Sequence, residues 1–383
     1  MKKILVALVV LALAGGGAFA QGWTFNGLVN GGLGLFFFDD ADHQYVAPIN
    51  STPANGFRTQ LQANFVNNDG NAGMRFRLRA QGNEPSNAAN PNDFVHFAFG
   101  WMSFDMVTVY GGLVDVGYFN SLDRMFDDGN GQGLGLLAVL QPMDGLTLGF
   151  GAFSGGPAGG ANGVTLIADD SNLVKATVSF VYEMPDFLRF TGSFRTGNNA
   201  WVGRGEEVSQ LYVSGSFLGD ADMHAAATIR LLRLEDFGDL GQMHFHATFG
   251  HTGLVDNMGI HAGVTCAISM VDDSDLGLWI WAGASYQVSE RIVPRLDIHY
   301  MMGGAATNAQ SLHTNMFRDG FTFNSDDSQL QIRPSVQFIA APGAFVQIGC
   351  VISIDLGDEH AASPSWGNFG TNFGIYALMQ VSF

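Results

Sequence analysis

A strict alternation of apolar and polar side chains is the feature that most restricts how this chain can fold. Across Phe57–Phe65 the odd positions are apolar apart from one threonine, and every even position is polar. After the turn Asn67–Asn71 the alternation resumes across Met74–Gln81, where every polar position but the last is an arginine. Successive side chains of a β-strand point to opposite faces of the sheet. The pattern therefore predicts an antiparallel hairpin in which Arg79 lies opposite Gln60 on a polar face.

The same two-residue period recurs in Leu188–Arg195, in Gln329–Phe338 and at the chain end in Phe373–Phe383. A soluble β-sandwich would bury the apolar face of such strands, whereas a transmembrane barrel turns that face towards lipid and the polar face towards its lumen. The chain is 47% hydrophobic and only 14% charged. Because a soluble domain of this size normally has about a quarter charged residues, the composition favours the barrel.

The first 20 residues have the form of a secretory signal peptide. Two lysines precede an apolar core, and Ala18–Ala20 provides a cleavage site with small residues. After residue 20 no apolar run is long enough for a membrane-spanning helix. We therefore predict a signal peptide at residues 1–20 and an exported domain at residues 21–383. The C-terminal Phe383 resembles the signal that the bacterial outer-membrane assembly machinery recognises, so we expect that machinery and outer-membrane lipid as partners.

Connections between the alternating segments are short and long in turn. Short turns such as Asn67–Asn71 and Ala340–Gly343 alternate with longer polar loops such as Gly303–Asp327. We therefore predict an all-β fold, a transmembrane antiparallel β-barrel of 16–18 strands, 18 by our count. Sixteen strands also fit, because Glu235–Asp275 shows no clear boundaries. Either number encloses a water-filled lumen rather than one packed with side chains.

Basic residues concentrate on one predicted hairpin. The chain has 17 Lys and Arg, of which two lie in the predicted signal peptide, leaving 15; ten of these fall on predicted lumen positions. A charge that faces lipid costs roughly 2–4 kcal/mol at the membrane midplane, so inward orientation alone says nothing about function. Four of the ten share one hairpin, and we call them the arginine wall: Arg58, Arg75, Arg77 and Arg79.

An acidic segment offers counter-charge to the arginine wall, which neighbouring guanidinium groups need because they repel one another. The segment Asp115–Gln132 contains four aspartates, namely Asp115, Asp123, Asp127 and Asp128. The flanking strands place small residues on the predicted lumen face: Ala98, Gly100, Gly112, Gly149 and Gly151. Since small residues leave room beside the wall, we predict that a loop at about residues 114–133 folds into the barrel and narrows it opposite the arginines.

These features together resemble the general bacterial porin family, in which the loop after the fifth strand folds inward and its acidic residues face a basic ladder. The counterpart here is Val107–Gly133, and the arginine wall matches the ladder by its position on early strands. The resemblance implies an outer-membrane pore for passive diffusion of small hydrophilic solutes and ions, and a homotrimer. The chain departs from the family in our count of 18 rather than 16 strands and in lacking a Pro-Glu-Phe-Gly-type loop motif.

Two tryptophans leave a second function open. Strict alternation points Trp279 and Trp281 inward, together with Tyr110 and Tyr212, which would form a sugar track as in maltoporin-like channels of 18 strands. The alternative, which we favour, places both tryptophans in the aromatic girdle at the membrane interface. A third hypothesis is a surface structural or adhesive barrel that does not conduct.

Other classes of function find little support in the sequence. Asp297 and His299 are a weak candidate for a catalytic pair, but no serine motif or oxyanion donor accompanies them, so we expect no enzyme. His244 and His246 share a lumen face without further ligands, which favours pore lining over a metal site. Thirty-five acidic against 15 basic residues give residues 21–383 a net charge of −20, which disfavours nucleic acid.

The acidic excess lies mainly in the predicted long loops. We expect no cofactor beyond weak binding of Ca²⁺ or Mg²⁺ there, since clustered carboxylates suit hard cations. Cys266 and Cys350 are both predicted to face lipid, four strands apart and too distant to form a disulfide.

Overall fold

The structure is a computed structural model, and it describes the greater part of the chain after residue 21. The described residues are 22–37, 44–49, 57–82, 95–117, 119, 132–153, 175–196, 209–220, 222–270, 276–302, 328–356 and 371–382. The predicted signal peptide, the predicted assembly signal Phe383 and three of the four loop aspartates, Asp123, Asp127 and Asp128, lie outside these ranges.

The described residues form nineteen β-strands. They are β1 (Trp23–Phe37), β2 (Gln44–Ile49), β3 (Phe57–Val66), β4 (Ala72–Gly82), β5 (Val95–Phe104), β6 (Val107–Asp115), β7 (Gln132–Met143), β8 (Leu146–Phe153), β9 (Lys175–Met184), β10 (Leu188–Arg195), β11 (Gln210–Phe217), β12 (Met223–Leu232), β13 (Gln242–Val255), β14 (Met258–Ser269), β15 (Gly277–Tyr286), β16 (Ile292–Met302), β17 (Ser328–Ala341), β18 (Ala344–Asp355) and β19 (Thr371–Ser382).

The strands close into one antiparallel barrel. Each strand from β3 onward pairs with the next, and β1 pairs with β19 from Leu28 opposite Ser382 to Phe37 opposite Phe373. Strands β2 and β3 both pair with the same edge of β1, β2 along Gly32–Phe37 and β3 along Trp23–Asn30. Since β2 and β3 together occupy one position, the barrel has 18 strand positions. The prediction of 18 strands is confirmed.

The region that the sequence left least defined contains the β13–β14 hairpin, whose register shifts once between His251 and Val255. A 3₁₀ turn at Leu234–Asp236 and the four-residue helix α1 (Phe237–Leu240) precede β13. Strands β13 and β14 then pair across a tight turn in which Asn257 has a positive φ of 63°. Asparagine tolerates this left-handed conformation better than most residues, which suits it to a two-residue turn. Among the described residues no helix is long and apolar enough to span a bilayer.

Apolar side chains lie outside the barrel and polar ones inside. Strand β11 shows the pattern most clearly, because Gln210 and Ser214 are fully buried whereas Leu211 and Val213 are 36% and 46% exposed. On the closing strand β19 the large apolar residue Ile375 is also 47% exposed. Exposed apolar side chains on so many strands would be costly in water, so the arrangement suits a barrel surrounded by lipid.

The predicted registers hold where polar and apolar residues alternate. Arg79 pairs with Gln60 across the β3–β4 hairpin, as expected. Cys266 on β14 pairs with Leu278 on the outward side, and Cys350 on β18 pairs with the exposed Ile375. Both cysteines are free thiols, four strand positions apart. Their predicted outward orientation is therefore confirmed.

Candidate functional site

The inward-facing side of the barrel is the candidate functional site, and we call it the lumen face. Its polar side chains are buried in the half nearest the long loops, where Gln210, Arg230 and His244 are at most 4% exposed. In the half nearest the short turns, Arg75 and His224 are exposed. Inward side chains of the described residues are thus exposed near the short turns and buried near the long loops.

Three residues of the arginine wall, Arg75, Arg77 and Arg79, lie on the lumen face of β4. Arg77 donates from Nε and Nη2 to the Gln62 side-chain oxygen, at 2.9 and 2.6 Å. Its guanidinium lies 4.4 Å from the centroid of the Phe97 ring, within the range of a cation–π contact. The backbone of the fourth residue, Arg58 on β3, lies opposite Asn30 of β1 and Gln81 of β4. A cavity of ≈ 290 Å³ borders the wall and is lined in part by Gln62 and Arg77.

Strand β5 departs from the sequence prediction. Phe97 and Phe99 lie opposite Arg77 and Arg75 in register and face the lumen, so the expected inward orientation of Ala98 and Gly100 is wrong. Both faces of this strand are largely apolar, and the polar Ser103 lies only at the turn end of the inner face. The other three small residues, Gly112, Gly149 and Gly151, do lie on the lumen face by register.

An apolar cluster consequently occupies part of the lumen face, and we call it the apolar patch. Its buried members are Phe97, Phe99, Tyr110, Val114, Phe119, Leu137, Val139, Phe153 and Val181. Eight of them belong to strands β5 to β9, whereas Phe119 comes from the chain that follows β6. The start of the predicted constriction loop therefore packs on the lumen face at Phe119, while the course of the rest of the loop stays a prediction.

The acidic half of the predicted constriction is only partly described. Asp115 ends β6, and its neighbour Val114 faces the lumen, so by register Asp115 belongs to the outward side of the barrel. The expectation that Asp115 faces the arginine wall is therefore not supported by its position. Because Asp123, Asp127 and Asp128 lie outside the described residues, their role in the constriction stays a prediction.

The two tryptophans of β15 face the lumen rather than the membrane interface. Trp279 pairs with Thr265 and Trp281 with Gly263, both on the lumen face of β14. The preferred interpretation as girdle residues is therefore wrong, and the strict alternation gave the right orientation. Gly263 leaves room for the Trp281 ring, because a Cβ at position 263 would lie only 2.0 Å from it.

Four rings form a stack across β13 to β16. Trp279 and Trp281 have ring centroids 4.0 Å apart, His246 stacks on Trp281 at 5.3 Å, and His299 stacks on Trp279 at 6.0 Å. The Trp279 ring nitrogen also donates to Nδ1 of His299 at 3.4 Å. Trp279 is only 1% exposed, and Trp281 already contacts two rings, so the stack offers little open ring surface to a sugar.

Asp297 pairs with a histidine that the sequence did not single out. Nε2 of His261 on β14 lies 2.7 Å from the Asp297 carboxylate on β16, across the intervening strand β15. Gly283 of β15 leaves the space for this contact, since a Cβ there would lie 2.2 Å from the carboxylate oxygen. His299 stacks on Trp279 instead, so Asp297 and His299 do not form the pair considered from the sequence. Nor does the described part of the chain hold a cluster of three or more residues suited to a metal ion.

A second basic group lies on β10 to β12. Arg195 and Arg230 are both nearly buried, and both donate from Nη2 to the side-chain oxygen of Gln210, at 3.2 and 3.1 Å. Both belong to the ten basic residues on predicted lumen positions, but the shared acceptor could not be foreseen from the sequence. It depends on Arg195 lying opposite Gln210 across β10 and β11, a register that the long connection between these two strands does not fix.

Comparison with known proteins identifies the fold. Solved structures of similar shape include a BenF-like porin from Pseudomonas fluorescens Pf-5 (TM-score 0.55, 10% identity, covering 94% of this chain and 99% of that one). Others are OccAB4 of Acinetobacter baumannii (0.53, 10%, 95% and 98%) and OpdK of Pseudomonas aeruginosa, solved with vanillate (0.52, 10%, 94% and 99%). No protein-family model and no curated protein matches the sequence. At this identity the likeness establishes the architecture alone, a closed 18-strand antiparallel barrel.

Proposed function

We propose that the protein is a porin of the bacterial outer membrane that lets small hydrophilic solutes and ions diffuse passively through its lumen. The observation that carries this proposal is the inverted barrel, in which a polar interior is enclosed by strands whose outer side chains are apolar and exposed. A solute crossing the membrane through such a barrel exchanges bulk water for hydrogen-bonding side chains, and no chemical step is required. We therefore propose a channel and not an enzyme.

Charge would then select among solutes in the narrow part of the lumen. The arginine wall attracts anions, and the Arg77 guanidinium is oriented by Gln62 and Phe97 rather than left to move freely. In the proposal the loop aspartates 123, 127 and 128 face this wall, and the transverse field between them orients polar solutes. Two buried basic side chains near the long-loop end of the strands, Arg195 and Arg230, extend the cationic surface along the pore.

Planar-bilayer recording of the purified mature protein tests the proposal. We expect stepwise conductance that is linear in voltage and insensitive to maltose oligosaccharides. Conductance that maltose oligosaccharides block would favour the saccharide channel, in spite of the stacked tryptophans. A correctly folded protein that inserts but stays silent would favour the structural or adhesive barrel.

Assembly and localisation complete the proposal. We propose that residues 1–20 direct export, that Phe383 is read by the assembly machinery, that the barrel assembles as a homotrimer and that its acidic loops bind Ca²⁺ or Mg²⁺ weakly. Deleting Phe383 should reduce the amount of folded protein in outer membranes, while cross-linking of membranes should give a trimer band. A monomer band alone would contradict the trimer without affecting the channel.

A further inference from the structure

We propose that Phe119 is a positioning residue that holds the chain after β6 inside the lumen, and that Gly149 exists to make room for its ring. The inference deepens the proposed function and rests on it, because a chain held in this place narrows the pore. It concerns the described residues at the start of the loop, Val116, Gly117 and Phe119.

The contact between Phe119 and Gly149 is sterically exclusive. A Cβ built on Gly149 would lie 2.4 Å from both Cε2 and Cζ of the Phe119 ring, well under the 3.0 Å that real Cβ atoms keep. Gly149 itself faces the lumen, opposite Val139 and Ser179 on the neighbouring strands. Any side chain at this position would therefore displace the ring from the wall.

The surroundings of the ring explain why it stays there. Phe119 is fully buried, and the apolar patch beneath it includes Tyr110, Leu137 and Phe153. An apolar surface within a hydrated lumen is unfavourable unless something covers it. The Phe119 ring contributes to that cover, so the patch and the ring stabilise each other.

The same patch reaches the arginine wall. Phe97 belongs to the patch and also lies under the Arg77 guanidinium, while Phe99 contacts the Tyr110 ring at a centroid distance of 6.0 Å. Phe119 therefore holds the chain that follows β6 on an apolar surface that continues to the arginine wall. Releasing it should widen the lumen beside them.

Limited proteolysis of the folded protein tests the anchor without relying on conduction. Arg124 follows Phe119 by five residues, and under this proposal trypsin reaches it more often when the Phe119 anchor is released. We expect both Phe119→Ala and Gly149→Ala to raise the rate of this cut by about tenfold, since proteolysis follows the population of the released state. The double variant should be cut no faster than either single variant, because both remove one contact.

Gly250→Ala is the matched control. Gly250 also lies on the lumen face, but a Cβ there has its nearest neighbour at 3.5 Å, so the methyl group fits. This variant should be cut after Arg124 at the wild-type rate. The cut after Arg204, in another loop, should not change in any variant.

Wild-type rates in both Phe119→Ala and Gly149→Ala would overturn the proposal. Should Gly149→Ala fail to fold, Phe119→Ala alone decides, since it removes atoms and adds none. Bilayer recording separates this inference from the proposed function. If the predicted cutting pattern appears in a barrel that never conducts, the anchor stands and the channel fails. If the barrel conducts and cutting does not change, the channel stands and the anchor fails.

Discussion

A charge placed on the outside of the barrel should destabilise it according to its depth. Leu136 and Met143 lie on the same strand, β7, and both are strongly exposed, at 61% and 62%. Leu136 lies near the middle of the strand, whereas Met143 is its last residue, beyond a register shift. The two are about 23 Å apart along the strand at about 3.3 Å per residue. With a strand tilt of about 40°, this separation is about 18 Å in depth, enough to reach the interface.

The expected magnitudes follow from that depth. Leu136→Arg should lower the free energy of unfolding by about 2–4 kcal/mol, and Met143→Arg by only about 0–1 kcal/mol. Equilibrium unfolding by guanidinium in lipid vesicles, followed by tryptophan fluorescence, measures both values. If the outer surface faced water, an arginine would be harmless at either position, and both changes would stay within about 0.5 kcal/mol. Equal and small effects would thus refute the reasoning.

Three further outcomes are expected. Replacing Arg75, Arg77 and Arg79 of the arginine wall by Ala should shift the reversal potential in a KCl gradient towards cation selectivity; an unchanged potential would remove the wall from the selectivity mechanism. Gly263→Val should displace Trp281 and abolish the exciton signal of the stacked tryptophans in circular dichroism; a wild-type protein without that signal, or a variant that retains it, would contradict the stack. Gly283→Val should separate His261 from its aspartate and lower the free energy of unfolding by about 1–3 kcal/mol in vesicle unfolding, the cost of an unsatisfied polar contact.

The strand count and the lumen face could be predicted wherever polar and apolar residues alternate. The β3–β4 hairpin is the clearest example, since its two faces differ at nearly every position and a short turn fixes the register. Strand β5 has no such contrast, because Phe97 and Phe99 alternate with Ala98 and Gly100. The two-residue periodicity alone does not indicate which of two apolar faces is inward, so the sequence did not predict the apolar patch.

Side-chain contacts between several strands could not be predicted from the sequence. The ring stack joins His246, Trp281, Trp279 and His299 from three separate strands, and it depends on the missing side chain of Gly263. Trp279 and Trp281 suggested the membrane interface, where tryptophan is common, although their alternation with Ile280 pointed inward. The small residue Gly149 suggested room beside the wall, but nothing in the sequence indicated that the Phe119 ring fills it.

Spin labelling along β11 tests the inversion of the barrel most directly. In a background with Cys266→Ala and Cys350→Ala, each residue from Leu211 to Ser216 would be changed in turn to cysteine and labelled with a nitroxide. In lipid vesicles we predict high accessibility to dissolved oxygen at 211, 213 and 215, and low accessibility at 212, 214 and 216. The opposite phase, or equal accessibility at all six positions, would contradict a barrel with lipid outside and a polar lumen within.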